Sequence, residues 1–106
     1  MYNIKDKVIV VTGGSGLIGR SFIEAIINEG GIAIIADIDS SLGYSFKNDL
    51  RLKLDTKNID FVKLDITSKL LLAESIKYLD KKYGKIDALV NNAYPRNGNY
   101  GKHFFD

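Results

Sequence analysis

At 106 residues, with 45% apolar and 26% charged side chains, the chain has the make-up of one globular domain, or a piece of a larger one, and not of a disordered segment. A formal net charge of +2, with the basic residues scattered along the chain, excludes the clustered basic surface of a nucleic-acid binder. The lack of cysteine excludes disulfides, thiolate metal sites and cysteine nucleophiles, and fits a reducing compartment.

In chain order, the first element expected is a strand over residues 8–11. Val8-Ile9-Val10-Val11 is β-branched and uninterrupted, the pattern of a strand buried on both faces. A helix follows after Gly19, with Phe22, Ile23, Ile26 and Ile27 as its apolar stripe and Gly30-Gly31 as its stop. Ile32-Ala33-Ile34-Ile35-Ala36 repeats the buried-strand pattern. A second helix is expected over residues 42–54, with Phe46, Leu50 and Leu54 at four-residue spacing. Phe61-Val62-Lys63-Leu64 is a weaker, partly alternating strand, as suits a place near a sheet edge. A third helix, capped by Thr67 or Ser68, puts Leu72, Ile76, Leu79 and Tyr83 on one face and ends at Gly84. The fourth strand is Ile86-Asp87-Ala88-Leu89-Val90, and the single proline, Pro95, turns the chain into a loop after it.

Strands and helices alternating through short links imply right-handed crossovers and a parallel sheet covered on both faces. The expected fold class is α/β, a Rossmann-type doubly wound sheet with about four strands, and residues 1–106 are read as one dinucleotide-binding domain. Such a sheet would end on the fourth strand as an apolar edge, a hazard that native proteins usually cover. With Phe104-Phe105 close to the last residue, Asp106, the chain is expected to be a truncated enzyme or one that borrows its remaining strands. Met1 to Lys7 is polar, and Ile32 to Ala36 is far shorter than the ~20 residues that span a bilayer. A soluble, cytoplasmic protein with no membrane partner is expected.

Between the first strand and first helix lies Thr12-Gly13-Gly14-Ser15-Gly16-Leu17-Ile18-Gly19. Its Gly14-x-Gly16-x-x-Gly19 spacing matches the dinucleotide fingerprint. One glycine allows the tight turn, one lets the backbone approach a pyrophosphate, and Gly19 lets the helix pack closely on the sheet. The phosphates would meet free N–H groups and the positive end of the helix dipole. A buried strand before and an amphipathic helix after supply the context that such a motif needs. The second strand runs into Asp37, 18 residues beyond Gly19. A carboxylate there can accept hydrogen bonds from adenosine ribose hydroxyls and repels a 2′-phosphate. Neither Ser15 nor Ile38 supplies a basic group, so NAD is favoured over NADP. Asp39 is the rival for this contact, and a helix-capping or loop carboxylate is its preferred reading.

Thr12-Gly13-x-x-Gly16-x-x-Gly19, Asp65-Ile66-Thr67 and Asn91-Asn92-Ala93, in that order and at strand ends, resemble the short-chain dehydrogenase/reductase family. The resemblance covers essentially the whole chain and the N-terminal half of such an enzyme. It implies that Asp65 and Ile66 flank the adenine, that Asn91 ties the central strands together, and that Asn92 and Ala93 border the nicotinamide-side ribose. The cofactor contacts implied are Gly13, Ser15, Gly16, Leu17, Ile18, Gly19, Asp37, Asp65, Ile66, Asn92 and Ala93. The glycine spacing is closer to the sugar-nucleotide epimerase branch, whereas Asn91-Asn92-Ala93 is typical of the single-domain oxidoreductase branch, which usually has glycine where Tyr94 stands. The segment from Ala93 to Gly101 is similar to dehydrogenases of bacterial surface-sugar and flagellin-glycan pathways.

Members of this family transfer hydride with a tyrosine whose phenol a nearby lysine makes more acidic, assisted by a serine. Tyr78-x-x-x-Lys82 has that spacing on one helix face. At about 1.5 Å per residue, however, the helix carries the pair roughly 15–20 Å from the ligand edge, so a solvated face at the opposite edge is expected. No catalytic residue is assigned within the chain. His103 is read as a surface residue. Arg96 could hold a substrate phosphate through its planar fork, although an ordinary solvated arginine is the preferred reading. The function implied is NAD-dependent oxidation or reduction of an alcohol or carbonyl, with a sugar derivative as one substrate class. The full-length form is expected to be a homo-oligomer acting on a small molecule. The rivals are a non-catalytic dinucleotide-binding scaffold and, more weakly, an S-adenosylmethionine-dependent methyltransferase.

Overall fold

The structure is a computed structural model that describes residues 3–13, 16–65 and 67–92. Strands and helices alternate as β1 (Val8–Thr12), α1 (Leu17–Asn28), β2 (Ile32–Asp37), α2 (Ser40–Lys53), β3 (Ile59–Lys63), α3 (Lys69–Tyr83) and β4 (Ala88–Asn91). The four strands form one parallel sheet in the order β3-β2-β1-β4.

The uninterrupted β-branched runs sit where both faces are covered. Ile9, Val11, Ala33 and Ile35 meet Ile23 and Ile26 of α1 and Phe46 and Leu50 of α2 on one face. Val8, Val10, Ile34 and Ala36 meet Leu79 of α3 on the other. Val8, Val11, Ile34 and Ile35 are wholly buried, each worth about 1.5–3 kcal/mol against exposure. This is the doubly wound α/β arrangement expected, with α1 and α2 on one side and α3 on the other.

Helix ends follow the local chemistry. After α1, Gly30 N–H donates to the Ile27 carbonyl at 3.0 Å and Gly31 N–H to that of Ile26 at 2.9 Å, a Schellman stop. Asp39 caps α2 by accepting the Leu42 N–H at 2.9 Å. Ser68, one of the two residues expected, caps α3 through the Leu71 N–H at 3.2 Å. Gly43 of α2 lies against the Phe61 ring of β3 with no room for a Cβ, which lets that helix settle onto the edge strand. At the N-terminal end of the sheet, Asp87 Oδ2 accepts the Val8 N–H at 2.7 Å and fixes where β4 meets β1.

Two faces differ from expectation. Phe22 is half-exposed, whereas Ile23 and Ile26 of the expected stripe are buried, with Gly19 beside them. In α3, Leu72 and Ile76 are half-exposed, Ser75 and Leu79 are buried, and Tyr83 is half-buried. The helix is turned so that the Ser75 hydroxyl reaches the Lys63 carbonyl, and Tyr78 and Lys82 reach Asp60. β4 is an apolar edge as expected, with Leu89 62% exposed. Among the described residues, no helix is long and apolar enough to cross a membrane.

Candidate functional site

In the order β3-β2-β1-β4 the chain winds outward from β1 through β2 to β3, then crosses to the other side of β1. In open parallel sheets ligands bind outside the carboxyl ends of the strands that flank such a reversal, which here are β1 and β4. Thr12, Asp37 and Asn91 close their strands at this edge, and Asp65 follows just after β3.

The turn out of β1 is held from both sides. Gly13 has φ +66°, a left-handed backbone that a Cβ would strain. Its N–H donates to the Ala36 carbonyl of β2 at 2.8 Å, and its carbonyl accepts the Gly16 N–H at 3.1 Å. Gly16 is the N-cap of α1, and among the described residues no side chain caps it. No acidic residue lies in the first turn, so that positive helix end has no carboxylate of its own. Leu17 and Ile18 project from it, 87% and 61% exposed, whereas Gly19 is buried.

Asp37 is half-buried at the end of β2, and its Oδ1 accepts the Asp39 N–H at 3.2 Å. Asp39 caps α2 through the Leu42 N–H, as its expected role requires. Asp65 Oδ1 accepts the Thr67 hydroxyl at 2.7 Å and the Thr67 N–H at 2.9 Å. Those bonds, the hydroxyl first, hold its carboxyl below the usual 3.8. Between the central strands, the Thr12 hydroxyl lies 3.0 Å from Asn91 Oδ1 and 3.3 Å from the Val90 carbonyl, and accepts the Asn92 N–H at 2.9 Å. Asn91 therefore ties β4 to β1. Gly13, Gly16, Leu17, Ile18, Gly19, Asp37, Asp65 and Asn92 thus belong to loops and element ends at one edge. Ser15, Ile66 and Ala93 of the expected set lie outside the described residues, as do Tyr94, Arg96 and His103.

At the opposite edge the structure holds a cluster that sequence reasoning did not find. Asp60, second residue of β3 and only 2% exposed, receives Lys82 Nζ at 2.9 Å, Tyr78 OH at 2.8 Å and Tyr83 OH at 2.9 Å on Oδ2. Lys47 of α2 at 3.3 Å and the Phe61 N–H at 2.8 Å share Oδ1. Burial alone would raise this carboxyl, but the bonds from Lys82, Phe61, Tyr78 and Tyr83 outweigh it and hold the pKa at about 2. Tyr78 and Lys82 were expected on a solvated face; they lie at the expected edge but are bound to a buried carboxylate. Burial and Asp60 push the Tyr78 phenol up, and Tyr83 to about 12, the reverse of what an acid–base tyrosine needs. The available signal was a carboxylate between Ile59 and Phe61 in an otherwise apolar run.

The family profile described as short chain dehydrogenase matches residues 7–100. The chain belongs to the short-chain dehydrogenase family. The flagellin modification protein A of Campylobacter coli is 37% identical over 99 residues, covering 93% of this chain and 38% of that protein. The 7alpha-hydroxysteroid dehydrogenase of Bacteroides fragilis is 34% identical, covering 87% of this chain and 35% of that protein. Among solved structures, the menthone neomenthol reductase of Mentha piperita superposes with a TM-score of 0.80 at 26% identity, covering 85% of this chain and 32% of that one. The chain therefore spans about a third of the length of these short-chain dehydrogenase relatives.

Proposed function

We propose that the chain is the NAD-binding part of an oxidoreductase that moves hydride between a nicotinamide cofactor and an alcohol or carbonyl substrate. The observation that carries this reading is the start of α1. An uncapped helix N-terminus stands behind a left-handed glycine turn at the same edge as Asp37 and Asp65. The residues fit the cofactor. Backbone N–H groups and the dipole of α1 would hold the pyrophosphate. Asp37 would accept the adenosine ribose hydroxyls, and its charge, with no base at Ile38, opposes the 2′-phosphate of NADP. Asp65 would accept the adenine amino group beside Ile66. Thr12 and Asn91 would hold Asn92 and Ala93 along the nicotinamide-side ribose, with Ser15 in the phosphate turn. The nicotinamide ring, when bound, supplies the hydride acceptor or donor.

Similarity to a flagellin modification protein, together with the sequence from Ala93 to Gly101, supports a sugar derivative as the first substrate class to test. A homo-oligomeric full-length form in the cytoplasm belongs to the same proposal. A non-catalytic dinucleotide-binding module is the alternative that the remote, acid-bound Tyr78 and Lys82 favour. Calorimetric titration with NAD, NADP and S-adenosylmethionine separates the cofactor readings. NAD should bind tightest, and tighter binding of S-adenosylmethionine would transfer the site to a methyltransferase.

A further inference from the structure

The turn between β3 and α3 divides two tasks between neighbouring residues. Ser68 caps the helix, and its own N–H closes the turn onto the Asp65 carbonyl at 2.9 Å. Thr67 takes no part in the cap. It gives both of its donors, the N–H at 2.9 Å and the hydroxyl at 2.7 Å, to one oxygen of Asp65, Oδ1. Among the described residues, no hydrogen bond reaches Asp65 Oδ2. The pair lies at the ligand edge, with Asp65 half-buried and Thr67 exposed. Helix capping therefore does not explain the double bond, and no buried charge demands it. Its effect is on the carboxylate, which loses its rotational freedom and keeps one acceptor oxygen available.

We propose that Thr67 is a positioning residue that, by clamping Oδ1 of Asp65, presents Oδ2 to the exocyclic amino group of a purine, so that the site selects a 6-aminopurine over a 6-oxopurine dinucleotide. The proposal deepens the dinucleotide reading above and rests on it. An ionised carboxylate only accepts hydrogen bonds. A 6-amino group donates and matches it, whereas a 6-oxo group brings acceptor against acceptor. The same clamp favours the ionised form of Asp65, which preserves that discrimination. A carboxylate free to rotate in water would have to be ordered by the ligand, at a cost to affinity that the clamp removes in advance.

The test titrates the full chain calorimetrically with NAD and with nicotinamide hypoxanthine dinucleotide, in which oxygen replaces the 6-amino group. The unaltered chain should prefer NAD. Thr67→Val should weaken NAD about three- to tenfold while leaving the hypoxanthine analogue within about twofold. Thr67→Ser, which keeps the hydroxyl, should restore the original ratio. In carboxyl-detected NMR, Asp65 should titrate higher in the valine variant and not in the serine variant. Circular dichroism verifies that both variants are folded, as expected for an exposed residue outside the cap. An unchanged ratio with Thr67→Val, or an equal loss for both dinucleotides, overturns the positioning role while leaving the dinucleotide reading intact. A chain that binds neither dinucleotide overturns that reading, and the role of Thr67 with it.

Discussion

Replacing Asp60 by asparagine should lower the stability of the domain and flatten its response to acid. The side chain keeps its shape, but the charge that gathers Lys82, Lys47, Tyr78 and Tyr83 is lost. The folded carboxyl titrates at about 2 against an ordinary 3.8. At about 1.4 kcal/mol for each tenfold change in proton affinity, the difference is worth about 2 kcal/mol. Because the folded value is depressed, that contribution is fully present above the unfolded value, near pH 4. It is lost as the pH falls through the folded value, near pH 2. Against a total of about 5–15 kcal/mol for a domain, a loss of this size is readily measured. Urea unfolding followed by circular dichroism, from pH 7 down to pH 2, makes the measurement. The difference in stability between the unaltered chain and Asp60→Asn should hold steady to about pH 4 and then shrink by about 2 kcal/mol. Asp65 and Asp87, whose carboxyls are also held low, contribute to both chains and cancel in the difference. Parallel curves across that range would refute the claim that the cluster holds Asp60 ionised.

Asp37→Ala should weaken NAD about tenfold and bring the NAD and NADP affinities close together, since in the proposed site one carboxylate would both accept the ribose hydroxyls and repel the phosphate. Paired calorimetric titrations measure both effects, and an unchanged preference would move the ribose contact away from β2. Gly43→Ala should destabilise the chain by about 1–3 kcal/mol, because a Cβ would enter the Phe61 ring with little space to yield. Its urea midpoint should fall, and an unchanged midpoint would mean that α2 can lift from β3 freely.

What could be read from sequence was whatever depends on near neighbours. The β-branched runs Val8–Val11 and Ile32–Ala36 marked strands buried on both faces. Gly30 and Gly84 marked helix ends, and Thr12, Asp37, Asp65 and Asn91 stand at or just after the ends of their strands, where topology brings them to one edge. The face of α3 was misread because Leu70, Leu71 and Leu72 give that helix more than one apolar stripe. The choice between stripes is made by Asp60, whose partners Tyr78, Lys82 and Tyr83 are 18 to 23 residues away in sequence. A carboxylate inside a strand has no local signature that tells a solvated charge from a buried, fully bonded one. Gly43 is a second such case, since only the Phe61 ring across the sheet gives the missing side chain its purpose.

Amide chemical-shift mapping on addition of NAD tests the proposed function most directly, because it reports where the dinucleotide lies. Saturable shifts should concentrate on the first turn of α1 from Gly16 to Gly19, on Asp37 and on Asp65, leaving Asp60, Tyr78 and Lys82 unmoved. Saturable shifts centred on the Asp60 cluster, or none at the start of α1, would contradict the assignment of the glycine turn as the pyrophosphate site.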